Sequence, residues 1–171
     1  MPKLGKTGLK ILKTVHFFTV GLWVGGAVGL NLMLWILSEG QSGGELYGYN
    51  VAAKLVDDLV IIPGAIGCLL TGLLFSLFSN WGFFKHRWVA VKWFLTVFCI
   101  LFGTFYLGPK VNEQPLISIS QGLSALTDPQ YVSNRLGNIK GGLVQLALII
   151  FMLYISVAKP WRSRSIKGAG N

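Results

Sequence analysis

The sequence has little charge, few acidic residues and few cysteines. Asp, Glu, Lys and Arg make up 12% of its 171 residues, whereas soluble domains carry about 25%. Hydrophobic residues reach 53%, so the composition excludes an ordinary soluble domain and indicates a membrane protein. Cys68 and Cys99 both lie inside apolar runs, which argues against a disulfide framework.

The shortage of acidic residues leaves a formal net charge of +9. Most of the basic residues lie in the N-terminal arm, around residues 85–92 and after residue 158, whereas all 6 acidic residues lie in the remaining connections. Positive charge stays on the cytoplasmic side of a membrane, so this distribution predicts that both termini are cytoplasmic. The basic surface then faces the anionic headgroups of the lipid bilayer rather than nucleic acid.

Long apolar runs carry the prediction of the fold. A hydrocarbon core of about 30 Å needs roughly 20 apolar residues per helix, and a continuous apolar run can satisfy its backbone in lipid only as a helix. The sequence therefore predicts an all-α membrane protein, a four-transmembrane-helix antiparallel bundle in a single domain over 1–171. We expect helices at about 10–37, 57–79, 86–108 and 138–159, followed by a flexible cytoplasmic tail at 160–171.

The connections between these helices differ in length. The first outer connection, "SEGQSGGELYGYN", is rich in glycine and is predicted to be a loop. The second, 109–137, is the longest, and "PLISISQGLSAL" within it is expected to form a short amphipathic piece. The cytoplasmic turn, 79–87, is short, so the second and third helices are expected to pack as antiparallel neighbours.

The first predicted helix carries glycines at a spacing of four residues, Gly21, Gly25 and Gly29. Small residues at this spacing let helices approach closely within a bilayer. The pattern predicts packing against a neighbouring helix, a second protomer in a homo-oligomer or another subunit of a membrane complex.

Polar and small residues follow one face of each predicted helix. Such faces either form a polar seam inside the bundle or hold helices together through hydrogen bonds. They comprise His16, Val20, Trp23, Ala27 and Asn31; Pro63, Gly64, Cys68, Thr71 and Gly72; Lys92, Thr96, Cys99, Gly103 and Tyr106; and Asn138, Gly142, Gln145, Met152 and Ser156.

His16 and Lys92 are the ionisable residues within these apolar helices. Both helices start on the cytoplasmic side, so the two side chains are expected at a similar shallow depth. In one interpretation Lys92 reaches lipid phosphate and His16 bonds a neighbouring helix. In the other, His16 offers a neutral imidazole to a metal or haem while Lys92 neutralises an acidic group of the ligand. An ionisable residue within a membrane is by default a functional hypothesis.

The small number of histidines limits any haem site. The chain has 2 histidines, which excludes two haems that each take two histidine ligands, but one haem with His16 as an axial ligand fits the composition. A second ligand is harder to find, because His86 is expected in the cytoplasmic turn and Met152 deep in the fourth helix. No CxxC or HxxxH pattern supports zinc or copper.

Several stretches resemble a known family in the same order along the chain. They are "LKTVHFFTVGLWVGG", "LVDDLVIIPGAIGCLLTGLLF", "WGFFKHRWVAVKWFLTVF" and "NRLGNIKGGLVQLALIIFMLYISVAKPW". The chain resembles the bacterial integral-membrane protoporphyrinogen oxidases and their copper-resistance-D-like four-helix relatives. The resemblance implies a four-helix bundle in the bacterial cytoplasmic (inner) membrane, b-type haem binding through His16, and Lys92 as a functional partner.

We therefore predict a membrane protein that binds a b-type haem or porphyrin, with a role in electron transfer or haem metabolism. The predicted site consists of His16 as the ligand of the haem iron together with Lys92, Trp23, Asn31 and Thr96. One alternative is a non-catalytic structural or assembly subunit of a membrane complex. Another is a small transporter or quinone-binding protein, against which we weigh the expected absence of acidic residues within the membrane. The sequence leaves enzymatic activity open.

Overall fold

The computed structural model describes residues 3–36, 42–79 and 82–159, and these residues are helical almost throughout. Two π-helical turns, Asp57–Ile61 and Gly103–Leu107, each join two successive α-helices without a break. A 3-10 turn, Gly122–Thr127, precedes the last helix. The α-helices in chain order are α1 (Lys6–Ile36), α2 (Gly43–Val56), α3 (Ile62–Phe78), α4 (Arg87–Phe102), α5 (Gly108–Gln121) and α6 (Pro129–Ala158).

Four helical spans are long and apolar enough to cross a membrane, and the described residues form no strand. The spans are Lys6–Trp35, Gly43–Phe78, Arg87–Thr127 and Pro129–Ala158. The predicted all-α, four-span membrane fold is confirmed.

The two ends of the described chain lie at the same end of the bundle. The backbone N–H of Leu4 donates to the carbonyl of Phe78 (3.1 Å), and the ammonium of Lys159 lies 5.7 Å from the centre of the Trp88 ring. We call this the terminal end, and the opposite one the distal end. That the terminal end is cytoplasmic stays a prediction from the charge distribution.

The first outer connection is a helix, and the loop prediction for it was wrong over 43–50. Ser42 caps α2: its side chain accepts from the backbone N–H of Glu45, whose carboxylate accepts from the N–H of Ser42 (both 3.2 Å). This reciprocal capping box stabilises a helix start. The α2 helix then continues through the π-helical turn into α3, so the second span begins at Gly43 rather than near residue 57.

The second outer connection is also helical, through α5 and the 3-10 turn, rather than a loop with one short helical piece. The fourth helix begins at Pro129 instead of near residue 138, and Asp128 caps it by accepting from the N–H of Tyr131 (2.9 Å). Hydrogen bonds from the Gln121 side chain and from this N–H hold the pKa of the Asp128 carboxyl below its ordinary value.

These additional helices pack together as a cap at the distal end. Leu46, Ala125 and Tyr131 form a small buried cluster, and the Tyr131 hydroxyl exchanges hydrogen bonds with the side chain of Asn50. A helix of 36 residues, the length of the second span, is roughly 54 Å long at 1.5 Å per residue. This exceeds a hydrocarbon core of about 30 Å, so the cap extends beyond the bilayer.

The closest helix contact in the bundle joins α1 and α3, and glycines of α3 make it. A Cβ on Gly64 would lie 2.7 Å from the backbone nitrogen of Trp23, and one on Gly67 would collide with the Thr19 side chain. By contrast, nothing lies within 4 Å of a Cβ built on Gly21, Gly25 or Gly29. The predicted glycine ribbon therefore makes no close contact with another helix among residues 3–36, 42–79 and 82–159.

The helices α3 and α4 touch only slightly, although their short connection predicts close packing. A cavity separates them at the terminal end, and both helices line it. Across this gap, the indole Nε1–H of Trp93 on α4 donates a hydrogen bond to the Ser76 hydroxyl on α3 (3.0 Å).

Two predictions fall outside the described residues. They are the flexible tail at 160–171 and the end of the first helix at residue 37.

Candidate functional site

The cavity at the terminal end, which we call the terminal cavity, has a volume of about 440 Å³ and lies between α1, α3, α4 and α6. Cofactor pockets typically range from about 300 to 1,000 Å³. His16, Trp23, Lys92 and Thr96 all line it, so four of the five residues proposed from the sequence share one cavity. Asn31 does not line the terminal cavity and instead lines a second cavity toward the distal end.

The imidazole of His16 is held by residues of α3. Its Nδ1 lies 2.7 Å from the Thr71 hydroxyl. The imidazole also packs edge-to-face with the Phe75 ring, with ring centres 5.7 Å apart. These contacts restrain the imidazole from two sides. A ring restrained in this way is pre-organised for a ligand.

The hydrogen bonds of Thr71 determine which nitrogen of His16 carries the proton. The Thr71 hydroxyl donates to the carbonyl of Gly67, one turn earlier in α3. The Cys68 carbonyl also lies within reach of this hydroxyl (3.3 Å). A hydroxyl that donates its single proton to a backbone carbonyl accepts from Nδ1–H of His16, and we adopt this tautomer. The neutral imidazole then has its lone pair on Nε2, on a ring that lines the terminal cavity. A metal-bound histidine typically has this arrangement, in which the second nitrogen donates to a fixed acceptor.

A hydrogen bond to a residue of α6 holds the side chain of Lys92. Its ammonium donates to the Ser156 hydroxyl (2.6 Å), which in turn donates to the carbonyl of Met152 (3.0 Å). Lys13 and Lys159 line the same cavity. Three lysines therefore line the terminal cavity, and none of the acidic residues that the structure describes does.

The remaining walls are largely apolar and aromatic. Phe17, Phe75, Trp88 and Trp93 line the cavity, and Trp23 is buried on its floor with an indole N–H that has no partner among the described residues. Such a cavity suits a flat, largely apolar ligand with acidic groups at one edge.

Met152, expected deep in the fourth helix, also lines the terminal cavity. It lies six residues before the end of α6 at Ala158, which is roughly 9 Å along the helix. The Thr96 hydroxyl donates to its sulfur (3.4 Å). His86, the other histidine, does not line the cavity and stacks on Trp88 instead.

Comparison with known proteins identifies the family. A family model described as a predicted integral membrane protein, DUF2269, matches residues 10–160. The chain belongs to the DUF2269 family. No curated protein and no solved structure matches it.

Membership of DUF2269 corrects the resemblance to the protoporphyrinogen oxidase and copper-resistance-D-like proteins, which was wrong. The motifs behind it are single glycines, tryptophans and a proline within apolar helices. Membrane helices of many families share such motifs, because small residues pack helices and tryptophans sit at the membrane interface.

In this DUF2269 chain, sequence reasoning missed the roles of Thr71 and Ser156, although it placed both on polar helix faces. Their partners lie on other helices, 55 and 64 residues away along the chain, so no local spacing could reveal them. Within residues 3–36, 42–79 and 82–159, no three side chains of His, Cys, Asp or Glu are grouped to hold a bare metal ion.

Proposed function

We propose that this integral membrane protein binds a b-type haem, or the corresponding free porphyrin, in the terminal cavity. His16 would be an axial ligand of the iron through Nε2, and Lys92 would pair with an acidic group of the porphyrin. On this proposal the protein serves electron transfer or haem metabolism. We place it in the bacterial cytoplasmic membrane, with the terminal end facing the cytoplasm.

The observation that carries the proposal is the hydrogen bond between His16 and Thr71. With the proton on Nδ1, this bond supports a lone pair on Nε2 of a restrained ring in the cavity wall. Only a neutral imidazole with an available nitrogen can ligate iron. A histidine that merely joined two helices would not need to line a cavity of about 440 Å³.

The charges and shape of the terminal cavity fit the same ligand. Porphyrin is flat and apolar with carboxylates along one edge, and the cavity combines aromatic walls with the ammonium groups of Lys13, Lys92 and Lys159. The Met152 sulfur lines the cavity as well. His and Met together are an established axial pair for haem iron, so the residues present fit the group.

The test is an absorbance titration of the purified protein with haemin in detergent. We expect the wild type to give a saturable Soret band of ligated haem with one haem per chain. His16→Ala removes the Nε2 ligand and is expected to weaken haemin binding at least 100-fold. The reduced wild-type protein should also show the sharp visible bands of a six-coordinate haem, and these bands should be lost in the variant.

His86→Ala is the matched control, since it removes the other imidazole from a position outside the cavity. It should titrate like the wild type. A wild type that shows no saturable Soret band overturns the proposal. So does a His16→Ala variant that binds haemin as tightly as the wild type.

A second candidate function is that of a structural or assembly subunit, and the open glycine ribbon favours it. Nothing lies within 4 Å of a Cβ added at Gly21, Gly25 or Gly29, so a second protomer or another subunit could approach α1 closely there. We expect Gly25→Leu to abolish self-association seen by light scattering in detergent, while His16→Ala has no effect. Gly48→Leu, equally open but in the distal cap, is the control, and a self-associating Gly25→Leu variant contradicts this candidate.

A further inference from the structure

A second cavity, which we call the distal cavity, lies on the other side of Trp23. It has a volume of about 430 Å³, and all the helices except α2 line it, together with both π-helical turns. Trp23 lines both cavities and is almost fully buried. The distal cavity contains none of the lysines that line the terminal one, so it serves a ligand of different chemistry.

Both π-helical turns of the structure face this cavity. Asp57, Asp58 and Ile61 come from the first turn and Gly103 and Leu107 from the second. A π-helical turn inserts a residue into an α-helix at a cost in stability and occurs frequently at functional sites. Here the first turn brings two carboxylates into a cavity wall in the interior of a long helical span.

Two buried amide side chains aim unpartnered oxygens into the distal cavity. Asn31 is 9% exposed and Gln145 is 6% exposed, and both line the cavity. The Asn31 Nδ2 donates to the carbonyl of Ala27 (2.8 Å), so its orientation is set and Oδ1 is left without a donor. Oε1 of Gln145 likewise has no partner among the described residues. A buried acceptor left unpaired is costly, so these oxygens favour a positive or donating ligand.

The charge balance of the cavity identifies the ligand's charge. Asp58 forms an ion pair with Lys54 on the preceding turn. The Asp57 side chain has no ion pair or hydrogen bond within the part of the chain that the structure describes. Two carboxylates and one ammonium leave one net negative charge on the wall of a cavity that two neutral oxygen acceptors also line. A set of oxygen ligands alone selects a hard cation, and a single net charge matches a monovalent one.

We propose that the distal cavity binds a monovalent metal cation of the sodium type through Asp57, Asn31 and Gln145. The π-helical turn positions the carboxylate, and the bond from Asn31 to Ala27 orients the amide oxygen. This site does not depend on the haem proposal, because it shares only the Trp23 side chain with the terminal cavity.

The experiment measures thermal unfolding of the purified protein in NaCl and in choline chloride at equal ionic strength. A ligand that binds only the folded state raises the unfolding temperature in a saturable way. We expect NaCl to raise it and choline chloride to have no effect, together with saturable retention of radioactive sodium. Asp57→Asn should weaken sodium binding at least tenfold. Gln145→Met, which keeps the side-chain volume, provides a second variant should Asp57→Asn fail to fold, and should weaken binding similarly.

Glu113→Gln is the matched control, since it removes an exposed carboxylate from α5 that does not line the cavity. It should bind sodium like the wild type. Equal unfolding temperatures in the two salts, without sodium retention, overturn the proposal and leave water as the partner of the amide oxygens. Undiminished sodium binding in both Asp57→Asn and Gln145→Met overturns it too.

Discussion

Replacing Gly64 by alanine is expected to destabilise the helix bundle by about 2 kcal/mol, a typical cost of overpacking a tight contact. The added Cβ would lie 2.7 Å from the backbone nitrogen of Trp23 and 3.1 Å from the carbonyl oxygen of Thr19. Both are backbone atoms of α1, so no side-chain rotation can make room, and the two helices must move apart. Unfolding in a detergent mixture, followed by circular dichroism, measures the loss.

Gly25→Ala is the matched control, because it introduces the same methyl group on α1 where nothing lies within 4 Å. Alanine has a higher helix propensity than glycine by about 1 kcal/mol, so this variant is expected to be as stable as the wild type or more so. Equal stability of the Gly64→Ala and Gly25→Ala variants would show that α1 and α3 do not meet through Gly64.

The four spans could be predicted from the sequence, whereas the distal cap could not. Apolar runs identify spans because lipid demands a hydrogen-bonded backbone whatever the tertiary contacts are. The segments α2 and α5 are short and rich in polar residues or glycine, so they are stable as helices only when packed together. The Ser42–Glu45 pair was the available local signal, since this spacing is typical of a helix start.

The site could be predicted in part, because depth can be counted along a helix. His16 and Lys92 lie on helices that run in the same direction, and the structure brings them to one cavity. Asn31 shares a helical face with His16 but lies fifteen residues further along α1, roughly 22 Å away at 1.5 Å per residue. A shared helical face therefore does not tell which residue lines the terminal cavity and which lines the distal cavity.

The helical setting of Asp57 and Asp58 differs from the one that the sequence predicts. They were expected at the outer start of the second helix. Because α2 continues into α3, the two carboxylates lie in the interior of a helical span and line a cavity. That no acidic residue lies within the membrane stays a prediction. The start of a helix is poorly specified when the residues before it also form a helix.

Replacing Thr71 by valine is expected to weaken haemin binding by about 10- to 100-fold, the usual effect of removing a partner that orients a metal-binding histidine. Valine keeps the shape of threonine but lacks the hydroxyl that accepts from Nδ1–H of His16. The imidazole is then free to turn or to place its proton on Nε2, and either change removes the lone pair from the iron-binding position. Titration of haemin at the Soret maximum measures the change.

Thr71→Ser restores the acceptor and should bind haemin within a few-fold of the wild type. Thr14→Val removes a hydroxyl from an exposed position on α1, where it bonds only the Lys10 carbonyl, and should have no effect. The unfolding temperature of each variant without haemin separates a loss of folding from a loss of binding. If the folded Thr71→Val variant binds haemin as tightly as the wild type, the tautomer argument for His16 is wrong, and the hydrogen bond between α1 and α3 serves only to hold the helices together.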